Sequence, residues 1–195
     1  MPPKKQKLDL TMSPKEKNKL SKIIDAPMGD NDIRKYFPDV KIIKYSDLIK
    51  YESLDELLPK EQDAVFILYQ DSPNSGHWTL TIRNGNQIQF FDSYGGEPDS
   101  QLRWLPERMR QQLKTNVPYL TNLFNKSNFD IVYNPIKYQS EKKTYDINTC
   151  GRHCSLRLKT FLNGKTLNQY YQDMKKIKKI TGGSYDDIVS VLIEK

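Results

Sequence analysis

The sequence predicts an α+β domain in which a central mixed β-sheet packs against a helix opened by Cys150. Three observations carry that expectation. Residues 64–69 (Ala-Val-Phe-Ile-Leu-Tyr) form a short continuous apolar run, which fits a buried strand. Residues 77–83 and 87–92 alternate in polarity around Asn84-Gly85-Asn86, the strongest hairpin signal in the chain. Residues 150–162 read as a helix, with Cys154, Leu158, Phe161 and Leu162 on one face and Asn163-Gly164 as its stop.

The remaining elements follow in chain order. Residues 1–20 are rich in Pro and Lys and poor in apolar side chains, so they read as a basic mobile arm or a loosely docked lead-in, and a single domain is expected over residues 21–195. Residues 30–36 and 45–58 look mostly helical, with Ser46 and Ser53 as caps. Residues 71–76 are a loop by composition, and residues 93–96 end the hairpin. Residues 98–115 carry Leu102, Leu105, Met109 and Leu113 at helical spacing, and Pro106 breaks or kinks that helix. Residues 129–138 read as a strand interrupted at Pro135, hence an edge or bulged strand. A polar connector, 139–149, leads to Cys150. Residues 166–180 form a Lys-rich helix, and Gly182-Gly183-Ser184 separates it from a last short helix ending at Ile193.

Composition narrows the function. The 195 residues suit one ordinary domain, and 36% apolar with 11% aromatic residues can fill its core beneath a polar surface (mean hydropathy −0.76). No apolar run is long enough to span a membrane, and MPPKKQKLDL lacks the apolar stretch of a secretory signal. Two Cys four residues apart exclude a disulfide framework and suit a reducing, intracellular setting. The surplus of 31 Lys and Arg over 24 Asp and Glu, with a pI near 9.2, fits contact with a polyanion and equally fits a solvated, Lys-rich surface. Lys4, Lys5 and Lys7 at one end and Lys175, Lys176, Lys178 and Lys179 at the other are the candidate DNA contacts.

The chemistry gathers around a few residues. A Cys in the first turn of a helix lies in the positive field of the outward-pointing N–H groups, which favours the thiolate. Cys150 has that position, whereas Cys154 reads as a buried core thiol. Of the two His, His77 opens a strand and can show one ring nitrogen to a cleft and the other to an acid. His153 reads as a surface or supporting residue. Asp92 ends the partner strand. A hairpin register centred on residues 84–86 makes His77 and Asp92 cross-strand neighbours, close enough for a carboxylate to bond the imidazole; the alternative role for Asp92 is to cap the turn at Ser93. A zinc site from Cys150, His153, Cys154 and His77 is set aside, because Cys-x-x-His-Cys on one helix lacks the paired knuckles of structural zinc sites. No metal is expected.

Gly76-His77-Trp78, then Phe91-Asp92-Ser93-Tyr94-Gly95, then Gln139, then Thr149-Cys150-Gly151 resemble, in that order, the adenain-like cysteine proteases, which include the adenovirus protease and the SUMO-specific proteases. The likeness covers about residues 60–165. With its Thr-Cys-Gly-Arg-His-Cys phrase and small size, the chain looks most like the maturation proteases of virophages and Polinton-like elements. The resemblance implies a papain-like fold in the permuted order His, acid, Cys. It implies Cys150 as nucleophile, His77 as general base and Asp92 as its orienting acid, with Gln139 and the Cys150 N–H as oxyanion donors and Trp78 lining the cleft. Gln139 departs from the pattern, since it precedes Cys150 by eleven residues, more than is usual in the family; Asn148 is the alternative donor.

The function implied is an endopeptidase that cleaves capsid precursors during virion maturation, acting as a monomer inside the virion or host cell. No cofactor is needed for the chemistry, and viral DNA and a peptide are candidate activators. Two other functions fit parts of the pattern. One is a SUMO- or ubiquitin-like isopeptidase; the other is a non-catalytic, basic DNA-binding virion protein on a protease fold.

Overall fold

The computed structural model describes residues 13–60, 62–72, 75–140 and 147–195. Two helices, α1 (Pro14–Asp25) and α2 (Asp30–Tyr36), lead into strand β1 (Lys41–Lys44), a 3-10 segment at Tyr45–Lys50 and a single-turn helix α3 (Leu54–Leu57). Strands β2 (Ala64–Ser72), β3 (Ser75–Asn84) and β4 (Gln87–Asp92) follow. After a 3-10 segment at Ser100–Trp104 come α4 (Glu107–Gln112), α5 (Tyr119–Asn125) and β5 (Asp130–Tyr133). Helices α6 (Cys150–Leu162), α7 (Leu167–Thr181) and α8 (Tyr185–Leu192) complete the fold.

The sheet has the order β1-β2-β3-β4-β5, with a central antiparallel trio and a parallel strand at each edge. The expected α+β class with a mixed sheet against the Cys150 helix is what the chain forms. Side chains alternate between the two faces of a strand. In β2, Ala64 and Phe66 enter the core under α6, α7 and α8, while Val65, Ile67 and Tyr69 enter a second core under the Tyr45–Lys50 segment, α3 and α5. Both faces are covered, which is why residues 64–69 read as an unbroken apolar run. Trp78, Leu80, Ile82 and Phe91 join the first core; Ile88 and Phe90 join the second.

Several sequence expectations shift at the element ends. Residues 14–20, assigned to the mobile arm, belong to α1, which Ser13 and Glu16 start with a reciprocal capping box and which packs against α8. Residues 1–12, with Lys4, Lys5 and Lys7, lie outside the described residues, as do residues 141–146 of the connector. Residues 71–72 and 75–76, expected in a loop, extend β2 and β3. The stretch 45–58 divides in two: Ser53 caps α3 by accepting from the Glu56 N–H, but Ser46 lies inside the 3-10 segment. Residues 98–115 divide at Pro106, as its missing N–H requires. Leu162, placed on the apolar face of α6, is 55% exposed. Strand β1 and helix α5 were not legible, being short and without a run long enough to show a period.

The hairpin register is the correction with the largest consequence. Only Gly85 and Asn86 form the loop, with Asn84 opposite Gln87 and Gly85 at φ 61°, the positive-φ position where hairpin turns favour glycine. Asp92 therefore lies opposite Thr79, and His77 lies opposite Tyr69 of β2. The shift is by two residues, so His77 and Asp92 keep a common face and become diagonal neighbours. Strand β3 outruns β4 by the four residues Ser75–Trp78, which opens a notch at the end of the sheet where α6 begins.

A tight backbone approach fixes that notch. A Cβ added at Gly76 would lie 2.3 Å from the Tyr69 carbonyl oxygen. Gly76→Ala should therefore force β2 and β3 apart beside His77 and destabilise the fold by about 1–3 kcal/mol. Urea denaturation followed by circular dichroism checks this; an unchanged midpoint would show that the strands adjust freely there.

Candidate active site

His77 Nε2 lies 2.7 Å from Asp92 Oδ1, with the two side chains 12% and 0% exposed. Cys150 opens α6, and its sulfur is hydrogen-bonded to His77. Because Asp92 occupies Nε2, the ring nitrogen facing sulfur is Nδ1. Sequence-predicted His77, Asp92 and Cys150 thus meet in one cluster, built from the ends of two strands and the start of one helix.

The cluster polarises itself. Burial opposes the charge on His77, but hydrogen bonds to Asp92 and Cys150 outweigh it and raise the imidazole to about 10. Burial likewise opposes the Cys150 thiolate, yet the bond to His77, the imidazolium charge and the backbone N–H groups of Trp78 and Gly151 bring the thiol below its ordinary value. The two shifts run in opposite directions, and both favour a thiolate–imidazolium pair. Cys154, one turn along, is fully buried, donates to the Trp78 carbonyl at 3.4 Å, and is pushed well above the ordinary thiol range by burial.

Asp92 is held from several sides. Its Oδ1 also accepts the Tyr94 N–H at 2.9 Å, so it caps the turn as well as binding His77. Gln101 donates to Oδ2 from a buried position. The Asn134 amide brackets the Asp92 main chain, accepting its N–H and donating to its carbonyl, each at 2.9 Å. Tyr94 stacks on His77 at 4.7 Å, and half-exposed Trp104 packs edge-on against Tyr94 at 5.3 Å. Sequence reasoning missed Gln101, Asn134 and Tyr94 as supports; the one cue was their closeness to turns at Gly95 and Pro135.

Other expected residues lie elsewhere than their assigned roles suggest. The Trp78 indole is packed in the core, 4% exposed, with Nε1 donating to the Met28 carbonyl at 2.9 Å. The main-chain N–H of Trp78 donates to the Cys150 sulfur. Gln139 is buried; its Oε1 accepts from Ser93 Oγ at 2.8 Å and its Nε2 donates to the Ile147 carbonyl at 2.7 Å. That ties Gln139 between the residue after Asp92 and the segment before Cys150. The alternative donor, Asn148, gives its side-chain amide to the Asp25 carbonyl at 2.8 Å. His153, expected at the surface or in a supporting place, is fully buried with Nε2 3.2 Å from Asp186, which leaves the supporting place. Lys175, Lys176, Lys178 and Lys179 are exposed on α7. Among the described residues, no group of three or more His, Cys, Asp and Glu could hold a metal ion, and no helix is long and apolar enough to cross a membrane.

Comparison with known proteins adds a relative. No family model matches the chain. The uncharacterized protein V9 of Sputnik virophage is 38% identical over 154 residues, spanning 78% of this chain and 85% of that protein. This chain belongs to the same family as V9. Similar solved structures include the ASFV pS273R protease (13% identity, 88% of this chain and 69% of that one, TM-score 0.44). They also include ChlaDub1 from Chlamydia trachomatis (13%, 87% and 90%, 0.42) and the C-terminal Ulp1 protease domain in complex with Smt3, the yeast ortholog of SUMO (13%, 93% and 95%, 0.39).

The pair is charged between the depressed Cys150 value and the His77 value near 10. Protonated His77 contributes stability that is full below its unfolded value of 6.5 and is lost as pH rises through about 10. The Cys150 thiolate contributes stability present above its unfolded value of 9.0 and lost as pH falls through its folded value. Iodoacetamide, read by mass spectrometry against pH, should label Cys150 far faster than Cys154, with the Cys150 midpoint below the ordinary thiol value of 9.0. In His77→Ala the Cys150 midpoint should move up by about one unit or more. Equal, slow labelling in both proteins would contradict the ion pair.

Proposed function

We propose that this member of the V9 family is a cysteine endopeptidase that cleaves viral capsid precursors during particle maturation. The single observation behind the chemistry is the buried Cys150–His77–Asp92 cluster, with its thiol lowered and its imidazole raised. The viral role rests on the resemblance of the sequence motifs and on the virophage relative.

In this reading the Cys150 thiolate attacks the scissile carbonyl carbon, and the developing oxyanion meets the main-chain N–H at Cys150; the Gln139 amide, the second donor the resemblance implies, would have to turn from the Ile147 carbonyl to reach it. Such donors typically contribute about 10²–10³ in rate each. His77 Nδ1–H then protonates the leaving amine, and neutral His77 takes a proton from the water that hydrolyses the thioester. Asp92 holds the ring by Nε2 throughout, so Nδ1 stays directed at the sulfur. Exposed Lys175, Lys176, Lys178 and Lys179 give the protein a basic helix face through which packaged viral DNA can concentrate enzyme and substrate.

Co-expression with the capsid precursor of the same virus, followed by mass spectrometry of the products, tests the reading. Cys150→Ala should abolish processing, and Asp92→Asn should leave it reduced but measurable. Processing that persists in Cys150→Ala would overturn the assignment. Cleavage of a SUMO- or ubiquitin-like fusion with the precursor left intact would transfer it to the isopeptidase reading.

A further inference from the structure

Thr149 stands immediately before α6, the position from which Thr ordinarily accepts an N–H of the first helical turn. Ser13, Ser53, Thr166 and Ser184 do so for their helices. Thr149 does not: it makes no cap bond, and its backbone, at φ −98° and ψ 0°, is outside the extended region of an ordinary cap. Its hydroxyl instead donates to Asp186 Oδ1 at 2.6 Å. The Gly151 N–H, within reach of a capping hydroxyl, is bonded to the Cys150 sulfur.

Asp186 has the means to hold that hydroxyl. It is 2% exposed, in the first turn of α8, where the helix field favours an anion. Its oxygens also accept from His153 Nε2 at 3.2 Å and from the Ser140 N–H at 3.1 Å. Burial alone would raise this carboxyl, but the His153, Thr149 and Ser140 bonds bring it below its ordinary range. Burial keeps His153 neutral, with Nε2–H as donor. One carboxylate thus grips the residue before Cys150, a residue one turn into the same helix and the residue after Gln139.

A carboxylate here works against a neighbouring thiolate by charge alone, so its benefit has to come through geometry. Building on the activated-thiol reading above, we infer that Asp186 is a positioning residue: it diverts the Thr149 hydroxyl from capping α6 and leaves the Gly151 N–H to the Cys150 sulfur. Without Asp186 the hydroxyl turns back to the helix start and competes with the sulfur for that N–H. The other charged or titratable groups that act on Cys150 are His77, Arg152 and Cys154, with Asp92 behind His77 and His153 beside Asp186.

Alkylation of Cys150 by iodoacetamide against pH tests this without a substrate, on wild type, Asp186→Asn, Asp186→Ala, Thr149→Val and Asp186→Ala/Thr149→Val, each checked for folding by circular dichroism. In Asp186→Ala the midpoint should rise by about one pH unit, a tenfold loss of thiolate on the acid limb. Asp186→Asn, which keeps one acceptor oxygen, should rise less. Thr149→Val and the double variant, which lack the competing hydroxyl, should stay close to wild type. An unmoved or lowered midpoint in folded Asp186→Asn or Asp186→Ala overturns the inference, as does a raised midpoint that Thr149→Val fails to restore. A wild-type midpoint at the ordinary thiol value removes the activated-thiol reading beneath it.

Discussion

A buried imidazolium is stable only while its counter-charges stay in place. Breaking a buried ion pair by removing one partner typically costs about 3–5 kcal/mol, because the other charge is left unpaired in a poorly polarisable interior. His77 is held this way between Asp92 and Cys150, and much of the local architecture serves that requirement. The overrun of β3 beyond β4 leaves room for the ring at the sheet end. The Gly76 approach fixes where β3 begins, and Gln101, Asn134 and the Tyr94 N–H lock Asp92 in one orientation. On the sulfur side, the helix start and the Trp78 N–H supply what solvent would otherwise give a thiolate.

The same requirement explains which parts of the site were legible in the sequence. The hairpin and α6 announce themselves through period and turn chemistry, and they bring His77, Asp92 and Cys150 to one end of the sheet. The exact pairing was not legible, because Asn84-Gly85-Asn86 allows loops of two or three residues; the observed two-residue loop moves Asp92 opposite Thr79. The diagonal contact survives because a two-residue shift leaves both side chains on one face. Asn134 and Asp186 were harder to read for a different reason. Each is a single polar residue contributed from far along the chain, and its burial arises only when distant elements pack. For His153, read as a surface or supporting residue, the choice was hidden for the same reason: it lies one turn after Cys150 on nearly the same side of α6, and only the packing of α8 shows that side to be buried.

Two clusters therefore flank the start of α6. The charged one, His77 with Asp92, faces the sulfur. The quieter one, His153 with Asp186, grips Thr149 and the Ser140 backbone. Both clusters meet α6 within its first turn, since Cys150 and His153 stand three residues apart on the same helix.

The central claim is that Cys150 rests as a thiolate beside protonated His77. Thiolates absorb near 240 nm, so a pH titration of the absorbance difference between wild type and Cys150→Ser reads that state directly. The account predicts a thiolate band already present at neutral pH, with its midpoint below the ordinary thiol value of 9.0. A band that develops only at or above 9.0 would contradict it.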